Sequence, residues 1–401
     1  METYRYALSI TSQFYFCGIP FRLDVAPKCT LNCLYCFAQS RGGRRTSNTK
    51  LIANSTQVSR KIERAMLKET SNIDVNGEML KHKVPIHFGG ISDPFSNIDT
   101  SRTAKELLNN IAEYDYPVVI STKNTQELMK DNTIKILKKI KHLAIQISIT
   151  TSNEMAAKII EPNVPSPIER IKCLKMLSEE GIHTIVRLQP LFVPWIDEII
   201  EDLIPMLGSV GCKHIIVEYL KLPVERNISY INNMFNAIGW NGCGFYKRNN
   251  ALLVGREWIL PTDYKWKNLQ RIINTIHQYG MTYGAGDYGL NHLGDADCCC
   301  GIDKLDGFSN WFKGNFSNVI RHSHSNYIRF DEVTKRWFPM KSIAMFMNSN
   351  CRLLDGNTVL DYMKVKWNTP GTPNAPDSFL GVSWEGEYDG KGNCVYVKGN
   401  I

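Results

Sequence analysis

The chain has 401 residues, 43% of them apolar and 21% charged, with 12 cysteines and a formal net charge of +8. Its length argues against the disulfide framework of a small secreted protein, no apolar run approaches the roughly 18–20 residues of a membrane span, and no basic-then-apolar leader opens it. The expected setting is the cytoplasm, without a membrane, where clustered cysteines favour metal or catalysis over bridges.

Short β-branched apolar runs alternate with longer helical stretches, a pattern of β/α units on a parallel sheet. The first strand is expected at 21–25, and just after it stand Cys29, Cys33 and Cys36 in a C-x3-C-x2-C run. Three thiolates can hold three irons of a cubane iron–sulfur cluster and leave one iron open. Zinc is the rival, but structural zinc takes four ligands, usually as two close pairs, and no such partner follows nearby. Tyr35 and Phe37 flank the last cysteine and would shield a cluster or pack on a planar ligand, or else be core aromatics.

A helix at 59–68 leads to a second strand at 85–88, which runs into His-Phe-Gly-Gly-Ile-Ser-Asp-Pro-Phe at 87–95. Paired glycines at a strand end let a backbone approach a ligand, or simply make a turn. A helix at 101–113 precedes strand three at 117–121, which ends Ser121-Thr122-Lys123. There a hydroxyl and an ammonium can hold a carboxylate, or cap the next helix at 125–140. Strand four, 143–149, ends in the hydroxyls Ser148, Thr150, Thr151 and Ser152, suited to ribose or carboxylate. The helix at 166–180 has Ser166 as N-cap, Pro167 in its first turn and Gly181 as its stop. On strand five, 184–188, Arg187 and Gln189 alternate with apolar residues and are expected to face a lumen, where a buried guanidinium needs an anion. A helix at 197–207 and strand six, 214–219, follow, the strand presenting Glu218 and Tyr219.

The triplet Cys29, Cys33 and Cys36 with its aromatic neighbours resembles the signature of the radical S-adenosylmethionine superfamily. The resemblance implies an α/β fold, a partial (β/α)6 barrel, whose [4Fe–4S] cluster binds the amino and carboxylate groups of S-adenosylmethionine through its open iron. An electron from the cluster would then yield a deoxyadenosyl radical that abstracts hydrogen. The stretch Ile-Ser-Ile-Thr-Thr to Val-Arg-Leu-Gln-Pro-Leu-Phe-Val-Pro, with Glu161, Pro162, Ser166, Pro167 and Arg170, is similar to the spore photoproduct lyase branch. The resemblance covers about residues 20–220. It makes Gly89, Gly90, Ser92 and Asp93 cofactor candidates, along with Tyr35, Phe37, Ser121, Lys123, Ser148, Thr150, Arg187 and Gln189. It also implies an electron donor such as flavodoxin or ferredoxin.

Beyond residue 225 the sequence reads as a C-terminal α+β extension, 226–401, that covers the barrel mouth. It has a helix at 263–279, a short strand and glycine-rich turn at 281–289, and short strands at 380–384 and 394–397. Cys298, Cys299 and Cys300 are consecutive, so their side chains are expected to diverge. They offer a hydrogen-atom donor near the substrate, or ligands of a second iron–sulfur cluster with Cys243 or His292. Tyr219 and Asp287 complete the candidate catalytic groups. The basic balance, with Arg41-Gly-Gly-Arg-Arg and with Lys138, Lys139 and Lys141, favours a modified pyrimidine in DNA or a nucleotide as substrate. Radical modification of a peptide, or a non-catalytic redox or nucleic-acid-binding role, are the alternatives.

Overall fold

A computed structural model describes residues 3–38, 51–67, 74–224, 228–346 and 358–399. In chain order its strands are β1 (Leu8–Ile10), β2 (Phe21–Leu23), β3 (Ile86–Phe88), β4 (Val118–Thr122), β5 (Leu143–Ser148), β6 (His183–Leu191), β7 (His214–Tyr219), β8 (Leu222–Pro223), β9 (Leu252–Val254), β10 (Glu257–Ile259), β11 (Thr282–Ala285), β12 (Tyr327–Ile328), β13 (Val382–Tyr388) and β14 (Cys394–Lys398). The main sheet has eight strands in the order β1-β2-β3-β4-β5-β6-β7-β11. β1 pairs antiparallel with β2, and every later pair is parallel. Two three-stranded sheets, β8-β10-β9 and β12-β14-β13, lie outside it.

The six strands expected from the sequence are β2 to β7, and they build a partial barrel. The sheet does not stop at residue 225: the strand expected at 281–289 joins it as β11, a seventh parallel strand in register with β7 from Thr282↔His214 to Ala285↔Val217. Side chains alternate between the helices and the lumen. Ile145 and Ile147, Val186 and Leu188, and Ile215 and Val217 are buried in the main core. The alternate residues Val119, Ala144, Ile185 and Ile216 belong to a second apolar cluster inside the barrel, with Ile19, Ile302, Phe308 and Trp311. Because those four lie near the strands' N-terminal ends, this cluster is a plug at the barrel's base. The plug is tied in by Phe312 N–H donating to Gly18 O at 2.8 Å and by Asn310 Nδ2 donating to His82 O at 2.8 Å.

Local chemistry sets the helix ends. Pro167–Glu179 starts from Ser166, whose hydroxyl accepts from Glu169 N while Glu169 accepts from Ser166 N, and Gly181 takes φ +75° beyond its end. The helix expected at 125–140 is divided into Thr125–Leu128 and Asp131–Leu137, because Lys130 is extended between them. The helix expected at 197–207 runs over 196–209 with a π-helical middle, Ile199–Leu203. No helix among the described residues is long and apolar enough to cross a membrane.

Ile145 lies fully buried on the fourth of the parallel strands in the central sheet. Ile145→Ala is expected to lower unfolding free energy by about 2–5 kcal/mol, read as a lower urea midpoint at unchanged slope.

Candidate active site

The loop after β2 carries Cys29, Cys33 and Cys36, at the strand end where β/α barrels collect their chemistry. Cys33 is buried and the other two are partly exposed, and none is in a disulfide. Asn32 takes φ +51°, and Cys36 N–H donates to Cys33 O at 3.1 Å, so the chain turns tightly between the thiols. Burial raises the Cys29 thiol, opposed by the amides of Asp93 and Leu31. Burial raises Cys33 as well, opposed by the Lys123 charge. The Asp93 and Glu161 charges add to burial, so both thiols lie above their ordinary value, and the loop offers three thiol donors. That donor set fits a cubane held at three corners.

A buried carboxylate anchors this loop. Glu161 accepts from the Tyr35 hydroxyl and from Lys123 Nζ at 2.9 Å, and pairs with Arg170 at 2.6 Å. Arg170 also donates to Ser148 O at 2.7 Å. Burial alone would raise Glu161, but the Arg170 and Lys123 charges and the Tyr35 hydroxyl outweigh it and hold the carboxyl down at about 2. Lys123 is thus engaged by Glu161 as well as lying 5.5 Å from the Tyr35 ring centroid. Tyr35 stacks edge-on to Phe192 at 5.8 Å, and Phe192 meets Trp240 at 6.4 Å. Phe37, expected as a shield, is 42% exposed, so it covers little.

The turn after β3 is a second built piece. Gly89 has φ +93°, and a Cβ there would meet Ser121 O at 2.5 Å, so only glycine fits. Gly90 has Arg22 Cδ 3.3 Å from the place of a Cβ. Ser92 and Asp93, expected as cofactor ligands, are spent on the loop itself. Ser92 Oγ donates to Ala26 O at 2.6 Å, and the Asp93 carboxylate accepts from Phe95 N, Thr122 Oγ1 and Lys123 N at 2.6 to 2.9 Å. Both are buried, and burial raises the Asp93 carboxyl against those donors. They shape the site by holding the turn on the end of β4.

Inside the barrel, above the apolar base, a belt of polar side chains crosses five strands. His87 Nε2 lies 2.7 Å from Ser121 Oγ, and Ser121 donates to Gln146 Oε1 at 2.8 Å. Arg187 donates to Gln146 Oε1 at 3.1 Å and to Gln189 Oε1 at 3.0 Å. Gln189 donates to Glu218, which also pairs with Lys221 rather than with Arg187. No carboxylate among the described residues lies within ion-pair distance of Arg187. Burial, and then the Arg187 charge, lower His87 to about 4, so it is neutral near pH 7. At the rim, Thr150 is fully buried and its hydroxyl has no hydrogen-bond partner among the described residues. Thr151 and Ser152 hydroxyls both donate to Glu198.

Other expected residues are placed elsewhere. Tyr219 and Asp287, candidate catalytic groups, form structural contacts: Asp287 accepts from Tyr219 N at 3.0 Å and from buried Lys265 Nζ at 2.8 Å, while the Tyr219 hydroxyl donates to Lys265 O. Cys298, Cys299 and Cys300 lie beneath the belt, among the residues of the plug, and not at the strand ends that carry the cysteine loop. Cys243 contacts Asn232 and His292 contacts Leu380 O, so neither accompanies them. Lys138, Lys139 and Lys141 precede β5, at the barrel's base rather than its mouth. The Arg41-Gly-Gly-Arg-Arg run and Cys351 lie outside the described residues. His87 and Gln146 were missed, although each alternates with apolar neighbours on its strand as Arg187 does.

Residues 23–204 match the family model described as the Radical SAM superfamily. An uncharacterized protein of Methanocaldococcus jannaschii is 25% identical over 231 residues, 54% of this chain and 70% of that protein. An uncharacterized protein of Acidianus two-tailed virus is 29% identical over 118 residues, 27% of this chain and 38% of that protein. Among solved structures, a variant of spore photoproduct lyase is similar in fold, with a TM-score of 0.51 and 14% identity over 69% of this chain and 78% of that one.

Glu161 supplies an acid-sensitive stabilisation. Its folded pKa, about 2, lies below the ordinary glutamate value of 4.5, so the unfolded chain binds the extra proton between these values. The stabilisation is complete above about pH 4.5 and is lost as pH falls toward 2. Glu161→Gln is expected to cost about 3–5 kcal/mol at pH 7, because it strands the buried Arg170 charge. It is also expected to flatten the acid limb of a urea-midpoint against pH profile.

Proposed function

The chain carries a radical SAM superfamily domain, and on that premise we propose that Cys29, Cys33 and Cys36 hold the [4Fe–4S] cluster with which this enzyme family works on S-adenosylmethionine. The carrying observation is the meeting of three cysteines, none in a disulfide, on one strand-end loop with a polar belt in the lumen. When bound and reduced, the cluster supplies the electron that cleaves S-adenosylmethionine to a deoxyadenosyl radical able to take hydrogen from a substrate.

The chain's own residues define the chamber. Gly89 lets the β3 turn close against Ser121 O at the end of β4, which fixes the turn beside the cysteine loop. Thr150 offers a buried hydroxyl without a partner among the described residues, suited to a ribose or carboxylate oxygen. Ser121, Gln146, Arg187 and Gln189 form a floor of mixed donors and acceptors. Neutral His87 and the amide side chains suit the carbonyl and imide edge of a pyrimidine. With the net charge of +8, this supports a modified pyrimidine in DNA or a nucleotide as substrate, repaired, isomerised or otherwise modified. A one-electron reductant of the flavodoxin or ferredoxin type would be the physiological partner.

Anaerobically reconstituted protein with dithionite and S-adenosylmethionine is expected to release deoxyadenosine. Cys33→Ala should abolish that release and most of the bound iron, and release that persists in the variant refutes the ligand assignment. Binding to a thymine-containing oligonucleotide should weaken steeply between about 50 and 200 mM salt. Affinity indifferent to salt counts against the nucleic-acid substrate and leaves a free nucleotide or a peptide to be tried.

A further inference from the structure

Three consecutive side chains on an extended strand point to alternate faces and cannot share one ligand. Cys298, Cys299 and Cys300 instead sit on a turn closed by Gly301 N–H donating to Cys298 O at 2.8 Å, with Gly301 at φ +65°. Asp303 fastens the turn by accepting from Asp297 N and Cys298 N at 3.2 Å each. Cys299 O lies 2.9 Å from His214 Nε2 and only 2.0 Å from where a Cβ of Gly284 would stand, so the turn rests on β7 and β11. The outcome is three sulfurs within 4.8 Å of one another, with Cys299 and Cys300 at 4.0 Å.

Spacing and donor type narrow what this trio takes. Three sulfurs placed ~2.3 Å from a central ion, in one plane with it, stand about 4 Å apart. A cubane spreads its thiolates over different irons, and a disulfide brings its sulfurs to ~2.05 Å. The observed spacing therefore suits one ion. Zinc would want a fourth protein donor or a water, and the nearby donors are already engaged. His214 has Nδ1 2.8 Å from Thr282 Oγ1 and Nε2 on Cys299 O. Both Asp303 oxygens accept backbone amides, Asp295 is held by His277 and Tyr283 N, and Asp297 by His322 and Arg321. Among the described residues, the donors that meet at ligand distance here are the three thiols alone. They share a cluster with Ile185, Ile216, Ile302, Phe308 and Trp311, an apolar setting that does not favour a coordinated water. Cys298 and Cys300 are buried, while Cys299 is partly exposed, which leaves an ion a way in.

We propose that Cys298, Cys299 and Cys300 form a three-coordinate thiolate site for a single copper(I) ion at the base of the barrel. Copper(I) is soft, prefers thiolates and is satisfied by three of them, so no fourth donor is missing. The bound ion locks the turn against β7 and β11. Cys17 stays outside its coordination sphere, and the assignment of the Cys29 loop is not involved.

The test uses the full-length Cys29→Ala/Cys33→Ala/Cys36→Ala variant, so that the loop above the belt cannot take copper. Without oxygen, and with bicinchoninate as competing chelator, it is expected to keep about one copper(I) per chain. Copper X-ray absorption should then show about three sulfurs at ~2.3 Å and no oxygen or nitrogen donor. Cys298→Ser, Cys299→Ser and Cys300→Ser should each weaken retention at least about tenfold, whereas Cys17→Ser and Cys243→Ser should leave it unchanged. No copper retained, a sulfur count of two or four, or a loss in Cys17→Ser equal to that in Cys299→Ser overturns the proposal. The sulfur count needs none of the serine variants, so it decides the matter even if one of them does not fold. If the alanine variant does not fold, wild-type protein reconstituted with iron and sulfide takes its place, with about one copper beside its iron expected. Iron content reads the Cys29 loop separately, so failure there is distinguishable from failure here.

Discussion

The Glu161 carboxylate is the interaction on which the candidate site depends. It lies at the end of the helix Glu154–Ile160 and joins three further elements: the cysteine loop through Tyr35, the end of β4 through Lys123, and the helix Pro167–Glu179 through Arg170. The same loop is bound by its backbone, since Leu34 N–H donates to Ile160 O at 2.8 Å. Arg170 is almost wholly buried, so its charge tolerates the interior only because the carboxylate and the Ser148 carbonyl are there. Leu31 is buried and Leu34 and Tyr35 pack against the core, and the ionic anchor adds a directional hold to that packing.

The second constraint is the layering of the lumen. Ala144, Ile185 and Ile216 build an apolar base, and one pleat further along the same strands Gln146, Arg187 and Glu218 build a polar belt. A period of two residues converts a sequence step directly into depth within the barrel. This depth separates two sulfur sets: Cys29, Cys33 and Cys36 at the strand ends above the belt, and Cys298 to Cys300 below it. Their different surroundings suit different work. The upper loop is partly exposed, while the lower turn packs with Ile302, Phe308 and Trp311.

How much of this was legible in the sequence follows from what each signal measures. Strands β2 to β7 were readable because β-branched alternation reports burial on both faces, and the helix Pro167–Glu179 because Ser166, Pro167 and Gly181 act locally. β11 was foreseen as a strand but not as a member of the sheet, since Gly284 and Gly286 dilute its apolar pattern. Those glycines are explained only by the close approach of Cys299 O and Glu218. The division of the helix at Lys130 has no local cause in residue type. Asp93 and Asp287 show the limit most clearly: a carboxylate at a strand end reads as a ligand, yet each is consumed by backbone amides and a hydroxyl or ammonium beside it. Residue type says that a group can bind something; only the fold says what it already binds.

Arg187 links the two halves of the molecule. It reaches Gln146, Gln189 and His87 across the belt but finds no acid there among the described residues. A half-buried guanidinium without an acid partner is costly unless negative charge arrives from elsewhere. Neutral His87 cannot supply it, and Glu218 is taken by Lys221. Hydrogen bonds from Cys298 and Cys299 and the charge of Arg187, opposed by burial, lower the Cys300 thiol from its ordinary value. Arg187 therefore gives the belt a positive charge that acts on the thiol turn on one side and stands in the lumen toward the cysteine loop on the other.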